Sequence, residues 1–148
     1  MADLSDIAQP ALDAVCAEWN RAGARWDADG LAATYCEDGL LFGGRPGHYV
    51  GRESIRAYFA TYDGVILAGG MTLSETALRT LGEDCILAQG MVCFDFTLAG
   101  QAQTRSTLRA TLVLRRDAGR WRILQHHFSS EPAAPPLGQD RSLRESRS

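Results

Sequence analysis

Two adjacent histidines, His126 and His127, an arginine at 109 and tyrosines at 35, 58 and 62 carry the chemistry of this 148-residue chain. An imidazole, with an unperturbed pKa near 6.5, gives or takes a proton at neutral pH. A guanidinium holds a carboxylate through two parallel hydrogen bonds. A phenol can donate to a carbonyl inside an apolar cavity. Neighbouring strand residues point to opposite faces, so the His126-His127 pair cannot chelate one ion, and His48 is the only other imidazole. No metal site is expected, and nothing in the sequence calls for a cofactor.

Strand alternation decides which of these groups should face an interior. Trp121, Ile123, Gln125, His127 and Ser129 share one face; Arg122, Leu124, His126 and Phe128 share the other. Trp121 and Ile123 mark the first as the core side, which makes His127 the candidate catalytic residue and sends His126 outward. On the preceding strand, Arg109, Thr111 and Val113 are expected inside, leaving Leu112 and Leu114 to join Leu124 and Phe128 on an outer apolar face. The candidate ligand-binding residues are therefore Tyr35, Tyr58, Tyr62, Arg109, Thr111, Gln125 and Ser129. Each also has a structural reading. His127 can be a core histidine bonded to a Tyr or Ser, the tyrosines can be core, and Arg109 can pair with Asp38 or Glu75.

The positioning elements follow from periodicity. Leu4, Ile7, Ala11, Val15, Trp19 and Ala22 form one helical face, with Pro10 either kinking that helix or opening it. A short helix capped by Asp27 or Asp29 carries Leu31, Ala32 and Tyr35 up to a Glu37-Asp38-Gly39 turn. Runs 40–42 and 48–50 make a small hairpin around Gly43-Gly44-Arg45-Pro46-Gly47. A third helix over 52–62 places Ile55, Tyr58, Phe59 and Tyr62 on one side. Beyond Gly69-Gly70 the period becomes two, and three turn signals divide the rest into antiparallel strands near 71–81, 85–98, 102–116 and 120–130. Three helices covering a long, curved, mostly antiparallel sheet define an α+β cone that encloses a pocket.

Composition narrows the partners. The net charge is −3, and arginines are scattered among acids, so nucleic acid is not an expected partner. No apolar run is long enough to span a membrane, and the opening MADLSDIAQP has no signal-peptide pattern, so a cytoplasmic location is expected. Cys16, Cys36, Cys85 and Cys93 form no CxxC pair and read as reduced core residues. Residues 1–131 read as one domain and 132–148 as a disordered tail.

The element order, the segments YCEDGLLF (35–42) and GRESIRAYF (51–59), and the closing RRDAGRWRILQHHFSSEP (115–132) resemble the nuclear transport factor 2-like (NTF2-like) superfamily. Within it they are similar to SnoaL-like domains and to the association domain of calcium/calmodulin-dependent kinase II and its bacterial relatives. The resemblance implies a cystatin-like cone, a conical pocket and dimerisation through the outer sheet face. The kinase association domain also has a His matching His127. Two of its pocket arginines match Gly90 and Thr111 here, leaving Arg109 as the nearest substitute. Steroid isomerases of the superfamily place a catalytic Asp where this chain has Gly43 or Gly44. The expected function is a homodimer binding a small, partly apolar organic molecule. The alternatives are a cofactor-free isomerase, dehydratase or polyketide cyclase using His127, and an oligomerisation module larger than a dimer.

Overall fold

Apolar residues at helical spacing press one face of the first helix, α1 (Ser5–Gly23), against the rest of the chain: Ala8, Ala11, Leu12, Val15 and Trp19 are all buried. The structure is a computed structural model that describes residues 5–138. Pro10 lies inside α1 on its exposed side, where its missing amide removes one intrahelical hydrogen bond. Asp27 stands at the N-cap of α2 (Ala28–Ala33), and α3 (Arg52–Ala60) buries Ile55, Tyr58 and Phe59.

The strands β1 (Tyr35–Phe42), β2 (Tyr49–Val50), β3 (Ile66–Thr80), β4 (Cys85–Leu98), β5 (Gln103–Asp117) and β6 (Arg120–Ser129) form one sheet in the order β2-β1-β6-β5-β4-β3. Strands β3 to β6 are the expected antiparallel meander. β3 begins earlier than expected, running through Gly69-Gly70 instead of after it. Those glycines serve close packing: a Cβ on Gly69 would lie 2.8 Å from Trp26 and 3.0 Å from Phe96. Asn20 of α1 then clasps Met71, its amide donating to the Met71 carbonyl (3.0 Å) and its carbonyl accepting the Met71 N–H (2.7 Å).

Tyr35 belongs to β1 rather than to the second helix, and Glu37-Asp38-Gly39 is a bulged part of that strand rather than a turn. β1 runs antiparallel to β2 and parallel to β6. Arginines hold this irregular stretch. Arg115 donates to both oxygens of Asp38 (2.7 and 3.1 Å) and to Asp117 (both 3.0 Å), while Arg52 makes two bonds to the Tyr35 carbonyl (2.9 and 3.1 Å). The guanidinium of Arg115 keeps the carboxyls of Asp38 and Asp117 below their usual range.

Further bulges shape the sheet, one of them near the start of β3 between Ile66 and Ala68. In β3 the ladder slips between Ser74 and Ala77, where Glu75 has φ 51°. A Cβ on the facing Gly90 would lie 2.8 Å from the Ser74 carbonyl and 2.9 Å from that of Glu75, so only glycine admits this bulge. In β6 the ladder pairs Leu114 with Ile123 but Val113 with Gln125, leaving Leu124 as an extra residue. Every side chain beyond Leu124 is thereby moved to the opposite face.

That single residue overturns the face assignment read from alternation along β6. His126 and Phe128 face the interior with Ile123, and His127 is exposed. On β5, Ala110, Leu112 and Leu114 are buried, and the register sets Arg109, Thr111 and Val113 on the outer side. Leu112, Leu114 and Phe128 are core residues, not members of an outer apolar face.

Residues 132–138 carry neither helix nor strand and are exposed. The rest of the expected disordered tail, 139–148, lies outside the described residues, as does Leu4 of the expected first helical face. Among the described residues no helix is long and apolar enough to cross a membrane.

Candidate ligand cavity

Beneath the curved sheet lies a cavity of about 190 Å³ whose walls are mainly aromatic. Trp19 and Trp26 come from the end of α1 and the turn after it, Tyr58, Phe59 and Tyr62 from α3 and its following turn, Phe94 and Phe96 from β4, and Phe128 from β6. Ile66, Ser106, Leu108 and Gly44 complete the lining. Trp26 organises this wall. Its indole meets Trp19, Phe59, Tyr62 and Phe96 edge-on with centroids 5.9–6.2 Å apart, and its N–H donates to the Phe59 carbonyl at 3.0 Å. A backbone φ of 45° at Trp26 turns the chain so that the ring points inward.

The polar groups of the cavity are few. Tyr58 accepts a hydrogen bond from the Gly44 N–H at 2.9 Å, and its own proton is shared with the neighbouring Tyr62. Burial pushes the Tyr58 phenol well above its ordinary range, so it stays protonated at neutral pH. The Tyr58 hydroxyl fills the space a Cβ on Gly43 would need. Of the two glycines in the region where a steroid isomerase places its Asp, Gly43 has no room for a side chain and Gly44 has ordinary contacts only. Among the described lining residues there is no His, Asp or Glu.

A wider, open mouth of about 680 Å³ adjoins the cavity and shares Gly44, Leu108 and Phe128 with it. There Phe42 stacks on His48 (4.4 Å, 17°) and lies 5.3 Å from His127. Arg45 sits over the Tyr62 ring at 4.3 Å and donates from Nε to the Thr61 hydroxyl at 2.8 Å.

Behind the cavity wall lies a buried polar chain. Trp19 Nε1 donates to the Tyr35 hydroxyl (3.4 Å), and that hydroxyl lies 2.8 Å from His126 Nδ1. Indole nitrogen has only a proton to give. The arrangement that wastes fewest groups has the Tyr35 proton on the bond to Nδ1 and the histidine proton on Nε2. Nε2 is buried and has no partner among the described residues. Burial, with a smaller contribution from His127, pulls the His126 pKa down to about 3.

The structure thus separates the sequence candidates into three groups. Tyr58 and Tyr62 line the cavity. Tyr35 is fully buried behind Trp19 and is a core hydrogen-bonding group. Arg109, Thr111, His127 and Ser129 line a shallow groove on the outer sheet face together with Glu75 and Gln89, and Gln125 shares that face by register. His127 and Ser129 also reach the cavity mouth. Arg109 forms no ion pair among the described residues, and Asp38, one of its expected partners, is held by Arg115. Sequence reasoning missed Trp26, Phe94, Phe96 and Ser106. For the two phenylalanines the signal was present, since strict alternation along β4 puts Val92, Phe94 and Phe96 on one face.

A helix-covered, strongly bulged sheet closing on an aromatic cavity is the NTF2-like, cystatin-like architecture. The family model for the SnoaL-like domain matches residues 12–134, and the chain belongs to that family. No curated protein sequence matches it. A solved structure from Xanthomonas campestris, named for a calcium/calmodulin dependent protein kinase II association domain, is 25% identical with a TM-score of 0.74, covering 83% of this chain and 87% of its own. A protein from Novosphingobium aromaticivorans named as a scytalone dehydratase is 13% identical with a TM-score of 0.75, covering 95% and 99%. A ketosteroid isomerase-like protein from Erwinia carotovora atroseptica is 20% identical with a TM-score of 0.65, covering 83% and 96%. The last two likenesses are of fold alone.

Proposed function

We propose that this domain is a binding protein for a small, partly apolar organic molecule, held in the cavity between the helices and the sheet. The observation that carries this reading is the lining itself: an apolar, mostly aromatic hollow with two phenols, Tyr58 and Tyr62, and no acid or base among the described lining residues. A proton-transfer enzyme needs a base within reach of its substrate. His127, the expected one, is exposed on the sheet's outer side, and His126 is bonded to Tyr35. Binding therefore accounts for more of the geometry than isomerase, dehydratase or cyclase chemistry does.

Native mass spectrometry of gently purified protein tests the reading. A discrete retained mass that is lost in the cavity-filling variant Ser106→Phe supports it. A retained mass that survives that variant places the ligand elsewhere and defeats it.

The assembly proposed is a homodimer through the outer face of β4, β5 and β6. Support comes from Leu87, Met91, Val113 and Leu124, half-buried apolar side chains on or beside that face that are not packed into the core. Val113→Glu is expected to give monomers in sedimentation. A dimer unaffected by it argues for another interface, and a larger ring favours the oligomerisation reading.

A further inference from the structure

The cavity and its mouth differ in chemistry in a way that specifies more than an apolar ligand. About 190 Å³ is little more than one aromatic ring requires, since an apolar cavity of about 150 Å³ already admits benzene. Any larger molecule must leave part of itself in the mouth. The mouth carries Arg45, His48 and His127 and no carboxylate among its described lining residues. Arg45 carries its charge to the edge of the cavity: its guanidinium sits over Tyr62, whose ring is also part of the cavity lining. Its Nε is spent on Thr61 and Nη2 reaches the Thr61 carbonyl only at 3.5 Å, so the Nη edge is left for an anion.

We infer that the ligand is an aryl carboxylate: one aromatic ring fills the cavity, and a short acidic side chain reaches the mouth, where Arg45 receives the carboxylate beside His48. This rests on the cavity reading above. Held this way, the ring packs among Trp26, Phe96 and Phe128, with the Tyr58 and Tyr62 hydroxyls beside it. The carboxylate stays in the wet mouth, where its desolvation is small. The loop of residues 43–48 thus supplies the specificity, and the sheet supplies the ring site.

Titration calorimetry with benzoate, phenylacetate and cinnamate, each compared with its primary alcohol, tests the assignment on the whole chain. At least one acid is expected to bind tighter than its alcohol by about tenfold or more, the range of a charge-assisted hydrogen-bonded pair. Arg45→Gln is expected to bring that acid down to the level of its alcohol and leave the alcohol's affinity in place. Equal binding of acid and alcohol, or an acid affinity untouched by Arg45→Gln, overturns the carboxylate assignment while the cavity reading stands. If no acid or alcohol in the series binds, the cavity reading falls and the inference falls with it. Arg45 is exposed on a loop, so its replacement leaves folding intact; an unchanged melting temperature checks this.

Discussion

His126 and His127 are joined by one peptide bond and live in opposite media. The first is fully buried, bonded to Tyr35 and edge-on to Phe128; the second is exposed on the outer sheet face at the rim of the mouth. Nothing in their residue type distinguishes them. The bulge at Leu124 does, because it decides which of two neighbours the pleat turns inward. The inner histidine is therefore a folding group, and the outer one is free to meet solvent, partner or ligand.

The largest consequence should be acid sensitivity. His126 has a native pKa near 3 against an ordinary value near 6.5, so between those values the unfolded chain binds a proton that the folded chain refuses. Stability from this group is complete above about pH 6.5 and is lost as pH falls, by up to about 1.4 kcal/mol per pH unit. Asp38 and Asp117 are also depressed, but their contribution is lost only below the ordinary carboxylate value of 3.8. Urea midpoints measured from pH 7 to pH 4 therefore isolate the histidine. His126→Asn, which keeps an acceptor for the Tyr35 hydroxyl, is expected to flatten that slope by about one proton. A slope that persists in His126→Asn assigns the acid loss to another group.

The next effect tests the faces themselves. Leu112 is buried and Val113 points outward, the reverse of what alternation across β5 and β6 implied. Leu112→Ala should cost about 2–5 kcal/mol, as a cavity in a packed core does. Val113→Ala in the monomer should stay within about 0.5 kcal/mol. Similar losses at the two positions would contradict this division of β5 into an inner and an outer face.

How much of this was legible in the sequence depends on what each feature rests on. Periodicity alone places α1, α3 and the four long strands, because a repeating burial pattern needs only the residue types. It also puts Tyr58 and Tyr62 together on the helix that lines the cavity. A bulge leaves no such mark: Leu124 is as apolar as its neighbours, and its extra place in the ladder comes from pairing with β5 and β1 across the chain. The glycines were more informative than they looked. Gly90 marks the β3 bulge and Gly43 the seat of the Tyr58 hydroxyl, yet each reads locally as a strand or loop glycine, since the atoms that exclude a Cβ come from another element.

The smallest effect separates the buried chain from the cavity. Tyr35 and Tyr58 are both buried phenols, but Tyr35 serves two partners in the core, Trp19 and His126, while Tyr58 accepts one bond from Gly44 and stands with Tyr62 on the cavity wall. Removing the Tyr35 hydroxyl leaves both partners unsatisfied in the core, at a cost of about 1–3 kcal/mol. Removing that of Tyr58 strands a backbone N–H beside an open mouth, where water can replace the lost acceptor. Tyr35→Phe is therefore expected to lower the melting temperature and leave the affinity for any bound arene unchanged. Tyr58→Phe is expected to do the opposite, a modest stability change with weaker binding. Thermal melts paired with titration of a cavity-binding alcohol read both quantities on the same samples. If the two variants fall on one line of stability against affinity, the polar chain behind Trp19 and the cavity in front of it act as a single unit, and the division drawn at the indole is wrong.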